Sequence, residues 1–427
     1  MFTKLDRYQR IALVLFLVAA VGVGGAVGYL LGSQSGPVTA TAVTDPLLDG
    51  RAELDVDRLA DLAKDRAAMG ARWLAGVARD DGSFLYEYDP EDDSYDREDY
   101  NEVRHAGTTY SLFTAYGVEG DPDVLEAAEG GAGYIDASSL IVGERGRAYV
   151  FGERMKLGGQ ALAIVALLER RRVLEDTSYD DLIDGLARFM ASLELPDEPG
   201  RYYQSYYHEE DRPSLDPDSD YYPGEALLAF TRLAQQFPDG PYLGYARRAA
   251  QFLIYQRDGD IPAAGVVPRQ DHWLTMALSE LYRLDPRPEY KQVAYLQADG
   301  MVASQHGADA RPMRIGGSAQ QSPINYTSTA TKAEALVAAW ALARLAGDDA
   351  AQRYADAAMR NLQFQLRVQY TADNTQLFPR PEAAIGAWGK DAVDPWIRID
   401  FVQHNVSGLL GMWSLTTTGD VPIAEEQ

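Results

Sequence analysis

The chain has 427 residues, no cysteine, and a formal net charge of −25 from 64 acidic and 39 basic residues. The missing cysteine excludes disulfides, thiolate-zinc sites and a cysteine nucleophile. So large a negative charge argues against nucleic acid as a partner, because phosphate backbones need a basic footprint. Lysine occurs only at 4, 64, 156, 291, 332 and 390, and arginine supplies the rest. Acid-rich, lysine-poor surfaces suit high salt, and a GC-rich genome gives the same bias.

In chain order, Lys4, Arg7 and Arg10 precede an apolar, uncharged run from Ile11 to Leu31. That run is about as long as a bilayer is thick. With positive charge before it, 11–32 reads as a single-pass transmembrane anchor and 1–10 as a cytoplasmic tail, with the bulk extracytoplasmic at the cell membrane. A cleaved signal peptide, with Ala40-Thr41-Ala42 as its cleavage site, is the rival reading. Residues 33–60 read as a linker and 418–427 as a C-terminal tail.

Between 61 and 417 one grammar recurs six times. A helix ends in a Gly-containing turn, an irregular stretch with aromatics or prolines follows, and a second helix opens on polar residues and becomes densely apolar. The second helices begin near His105, Lys156, Tyr222, Gln270, Thr331 and Asp400. First helices such as 350–366 are amphipathic, with Tyr354, Ala358, Leu362 and Leu366 at helical spacing. Second helices such as LGGQALAIVALL are apolar nearly all round, so they are expected to be buried on every side. A buried inner ring inside an amphipathic outer ring predicts an all-α (α/α)6 toroid with short strands or loops in its connections.

On this repeat, the chain resembles the six-hairpin (α/α)6 toroid superfamily of carbohydrate-active enzymes: glycosidases, polysaccharide lyases and uronosyl epimerases. LGGQALAIVALLER also looks like an inner-helix segment of D-glucuronyl C5-epimerases. The resemblance implies an oligo- or polysaccharide partner.

In such a ring the inner-helix N-termini converge on one mouth, and polar residues there are the site candidates. His105, Tyr326, Glu225, Asp271, Asp400 and His404 are candidates for catalysis. Arg104, Lys156, Lys332, Arg398, Tyr222, Trp273 and Trp396 are candidates for binding substrate. A cation at or just before five of the six starts (Arg104, Lys156, Arg269, Lys332, Arg398) opposes the helix dipole, and a bound anion would explain it. The leading expectation is therefore an enzyme acting on an anionic, uronate-containing glycan, with His105 or Tyr326 moving the C5 proton in an epimerase or lyase reaction. A hydrolase using two of Glu225, Asp271 and Asp400 stands beside it. The alternative is a non-catalytic toroid that binds a glycan or an assembly partner. No cofactor and no metal motif is read, although calcium could bind the acidic loops 89–99 and 209–220.

Overall fold

The computed structural model describes residues 48, 55–96, 100–216, 219–264 and 269–419. Among these residues, twelve long helices run in chain order: α1 Val56–Gly76, α2 Glu102–Glu119, α3 Pro122–Ala137, α4 Leu157–Leu174, α5 Asp180–Ser192, α6 Tyr222–Gln236, α7 Tyr242–Tyr255, α8 His272–Leu284, α9 Pro288–Ala303, α10 Tyr326–Ala346, α11 Ala350–Val368 and α12 Ile399–Thr417. The even-numbered helices pack side by side in sequence, and α12 packs back on α2, so they close a ring. Each of α3, α5, α7, α9 and α11 lies against the even helix before it across a short turn, and α1 lies against α12. The first and last helices thus make the sixth hairpin, and the expected toroid is present. Helix α1 begins at Val56, inside the stretch read as linker.

Burial explains which helix goes where. In α4 every residue from Leu157 to Arg170 is buried, as an all-round apolar helix requires. In α11 the first half buries one face, with Tyr354 and Ala358 on it and Gln352 and Arg353 in solvent, and Leu362 and Leu366 lie in the fully buried stretch 361–366. Each fully buried Leu contributes roughly 1.5–3 kcal/mol of transfer free energy. Side-chain caps set several starts: Asn101 accepts from Val103 and Arg104, Asp271 from Leu274, and Asn325 from Ser328. The last of these moves the start of α10 back to Tyr326. The polar residues TSTA ahead of the expected start at Thr331 are helical, with Asn325 accepting from the Ser328 N–H in the first turn.

One ion pair of the inner ring lies deep among the helices. Arg232 on α6 donates to Glu280 on α8 at 2.8–3.3 Å and to the Tyr110 hydroxyl at 3.3 Å, all three buried. Arg232→Met leaves the Glu280 charge alone in the core and is expected to cost about 3–5 kcal/mol in urea unfolding. Adding Glu280→Leu is expected to restore most of that loss.

The long connections run from each outer helix to the next inner one and carry the strands. These are β1 Glu87–Asp89, β2 Ser94–Asp96, β3 Ser139–Ile141, β4 Arg147–Tyr149, β5 Arg154–Lys156, β6 Ser205–Tyr207, β7 Arg212–Ser214 and β8 Ile397–Arg398. Antiparallel β2-β1-β8 pairs Glu87 with Arg398, and β5-β6-β7 pairs Lys156 with Ser205. The register fixes Arg398 and Lys156 immediately before α12 and α4. Five of these connections set a glycine with positive φ (Gly82, Gly146, Gly200, Gly316 and Gly386) against a backbone carbonyl of a neighbouring outer helix. Gly200 (φ +85°) lies on the Arg248 carbonyl of α7, and Gly386 (φ +97°) on the Met69 carbonyl of α1.

Among the described residues no helix is long and apolar enough to cross a membrane. The expected single-pass cell-membrane location is corrected on that finding. The span assigned to 11–32 and the tail 1–10 lie outside the described residues.

Candidate active site at the toroid mouth

The starts of the inner helices touch one another around the ring. On α2, Glu102 is fully buried and accepts from Lys156 Nζ, just before α4, at 3.0 Å. Glu225, in the first turn of α6, lies so close to α4 that a Cβ at Gly158 would collide with its carboxyl and with the Tyr222 ring. Glycine at the start of α4 therefore makes the room this acid occupies. Glu225 is 3% exposed, and its Oε2 has no hydrogen-bond partner. Burial, with Asp271 nearby, pushes its pKa up to about 8.

Asp271 is fully buried at the cap of α8, accepting from Leu274 N at 3.0 Å and from Arg257 at 3.1 Å. Across the ring, Asp400 in the first turn of α12 takes two bonds from Arg398, at 2.6 and 3.0 Å. Arg104 of α2 approaches the same carboxylate at 3.1 Å and also donates to the Tyr86 hydroxyl. Burial raises the Asp400 carboxyl, but the Arg398 charge and hydrogen bonds outweigh it and leave the pKa below its ordinary value. The His272 and His404 rings stand 5.4 Å apart beside Trp273, and His404 Nδ1 is 2.8 Å from Glu334 Oε2 of α10. Tyr221 meets the edge of His272, with ring centroids 5.7 Å apart.

Glu225, Asp271, Asp400, His404, Arg104, Lys156, Arg398, Tyr222 and Trp273 are thus brought together at or beside the mouth. Three expected site residues are not. His105 points out between α2 and α3, with Nδ1 2.6 Å from the Tyr100 hydroxyl and Nε2 3.0 Å from the Gly131 carbonyl. Burial lowers its pKa to about 4. Tyr326 packs edge-on against Phe364 in a small separate cluster with Ile324. Lys332 turns toward the 304–320 connection, where Ser304, Ser318 and Gln320 accept from it at 2.6–3.1 Å. Helical rotation explains all three, since a start position says nothing about which face points inward. Trp396 is half-buried in the connection before β8.

The cations expected to hold an anion are already engaged. Lys156 has Glu102, Arg104 and Arg398 have Asp400, and Arg269 has Asp258 and Asp220. Among the described residues, the acidic loops do not gather three possible metal ligands, whereas His272, Glu334 and His404 do. Glu334, Glu102 and Tyr86 also lie in the site and are not among the residues expected to catalyse or to bind substrate. A glutamate inside the apolar run TKAEALVAAWAL was the available signal, because a charge at a buried position needs a reason.

A ring of six inner and six outer helices is the (α/α)6 toroid fold. Solved structures share it. Cellobiose 2-epimerase from Spirochaeta thermophila DSM 6192 matches with a TM-score of 0.58 at 15% identity, over 84% of this chain and 98% of that one. A D-mannose isomerase matches with a TM-score of 0.61 at 13% identity, over 83% and 97%. An unsaturated glucuronyl hydrolase specific for heparin matches with a TM-score of 0.58 at 13% identity, over 85% and 98%. At these identities the likeness is one of fold. No family model matches the chain, and no curated protein matches it.

Proposed function

We propose that the protein is a carbohydrate-active enzyme that cleaves a glycosidic bond at the toroid mouth, with Glu225 as general acid. The observation that carries this reading is a buried carboxyl with an unpartnered oxygen and a pKa of about 8, which holds its proton at neutral pH. Glu225 gives that proton to the glycosidic oxygen as the bond to the anomeric carbon breaks and the departing sugar leaves as an alcohol. A water adds to the anomeric carbon and gives up one proton to a carboxylate, so that one water is consumed for each bond cleaved. Asp400, on the opposite inner helix and ion-paired with Arg398 and Arg104, stays ionised and supplies the second carboxylate. Two carboxyl groups in opposite protonation states are what glycoside cleavage requires. Fold likeness to sugar-processing enzymes supports a glycan substrate.

The proton-transfer reading, epimerase or lyase, is less well supported, because His105 and Tyr326 are turned into packing. A purely binding toroid does not need a carboxyl shifted as far as that of Glu225. Preference for an acidic glycan rests on Arg104, Lys156 and Arg398, where a substrate carboxylate must compete with Asp400 or Glu102.

The test is turnover of neutral and uronate-containing oligosaccharides by the full-length protein, in low and high salt. New reducing ends are expected from one class, and activity on uronates is expected to fall about 10-fold or more in Lys156→Ala if that class is acidic. Isomerised or epimerised sugar without cleavage would overturn the hydrolytic assignment.

A further inference from the structure

Three consecutive inner helices bring His272 of α8, Glu334 of α10 and His404 of α12 to one point. One ligand atom from each lies within 4.8 Å of the other two. All three residues are buried, at 7%, 5% and 9% exposure. Two of their polar atoms, His272 Nε2 and Glu334 Oε1, are sealed from solvent with no hydrogen-bond partner. A buried polar atom left without a partner costs about 1–3 kcal/mol, and two within one three-residue cluster call for a common cause.

We propose that His272, Glu334 and His404 form a binding site for a divalent first-row transition-metal ion, zinc or a near neighbour. Two imidazoles and one carboxylate are a donor set that holds zinc with a fourth position left for water or a substrate oxygen. The soft thiolate alternatives are absent from the chain. The residues sit within the first three turns of helices packed in a closed ring, so the site is held by rigid elements. On entry the ion replaces the proton between His404 Nδ1 and Glu334 Oε2, which leaves to solvent. The Trp273 ring, 4.7 Å from His272 and 5.9 Å from His404, walls one side. Neither Glu225 nor Asp400 is a ligand, so the metal site stands or falls independently of glycoside cleavage.

The experiment uses untagged, full-length protein stripped with EDTA, titrated with Zn2+ and with Co2+ in a calorimeter and a spectrophotometer. One equivalent of either ion is expected to bind, with visible Co2+ bands and a raised melting temperature. Affinity is expected to fall about 100-fold or more in His272→Ala and in Glu334→Gln, and to be unchanged in His208→Ala, a histidine in the β6–β7 turn. Glu334→Gln keeps the side chain's size and a hydrogen bond to His404, so loss of binding there is not a folding defect. No binding to the wild type, or binding that survives both His272→Ala and Glu334→Gln, overturns the assignment.

Discussion

Glu225→Gln is expected to remove turnover by 10²–10⁴-fold, the usual worth of a general acid, while making the protein more stable in alkali. The second effect follows from proton linkage. The Glu225 carboxyl has an ordinary pKa of 4.5, which burial raises to about 8 in the folded chain. The folded state therefore binds its proton more tightly than the unfolded state does. The stabilisation is fully present below pH 4.5 and is lost as pH rises through 8. Across that window it amounts to a few kcal/mol, at about 1.4 kcal/mol for each pH unit separating the two values. Glutamine has no proton to lose. The melting temperature of Glu225→Gln is therefore expected to gain on the wild type between pH 5 and 9 and to run parallel to it above pH 9. A constant difference at all pH values would mean that the carboxyl is not held protonated. Loss of activity together with gain of stability is the trade expected where a buried acid is kept for chemistry.

Gly386→Ala is expected to cost about 3 kcal/mol or more in urea unfolding, at unchanged slope. Gly386 has φ +97°, and a Cβ there would overlap the Met69 carbonyl of α1. An L-residue with a side chain is strained in that conformation by roughly 1–2 kcal/mol, and overpacking against backbone adds about 1–3 kcal/mol. This contact holds the α11–α12 connection to α1, at the seam where the ring closes. Gly200→Ala, at φ +85° on the Arg248 carbonyl, is expected to behave alike inside the ring. Gly133→Ala is the control. It lies within α3 with nothing near its missing Cβ, and alanine there is expected to add roughly 0.5–1 kcal/mol. Equal effects at 386 and 133 would mean that the close approach does not exist.

The ring was legible in the sequence because its two kinds of helix differ in how they meet water. LGGQALAIVALL has no polar face to expose, and RYADAAMRNLQFQL has one. Which end carries the polar side chains was legible too, since Glu225, Asp271 and Asp400 all open apolar helices. What periodicity could not give was rotation. His105 and Arg104 are neighbours, yet one turns to the outer ring and the other to the mouth. Lys332 and Glu334 divide in the same way. The cation at five of the six starts was visible, but the carboxylates that hold Lys156 and Arg104 were not. Glu102 and Asp400 are far in sequence from Lys156 and Arg104, and meet them only because neighbouring inner helices pack together.

The most direct test of Glu225 as general acid compares two substrates of one sugar that differ only in leaving group. Natural oligosaccharides need a proton on the departing oxygen, whereas an aryl glycoside with an acidic phenol leaves without one. Glu225→Gln is expected to lose about 10²–10⁴-fold on the oligosaccharide and little on the aryl glycoside. Equal loss on both would contradict the assignment and leave Glu225 as a packed structural acid.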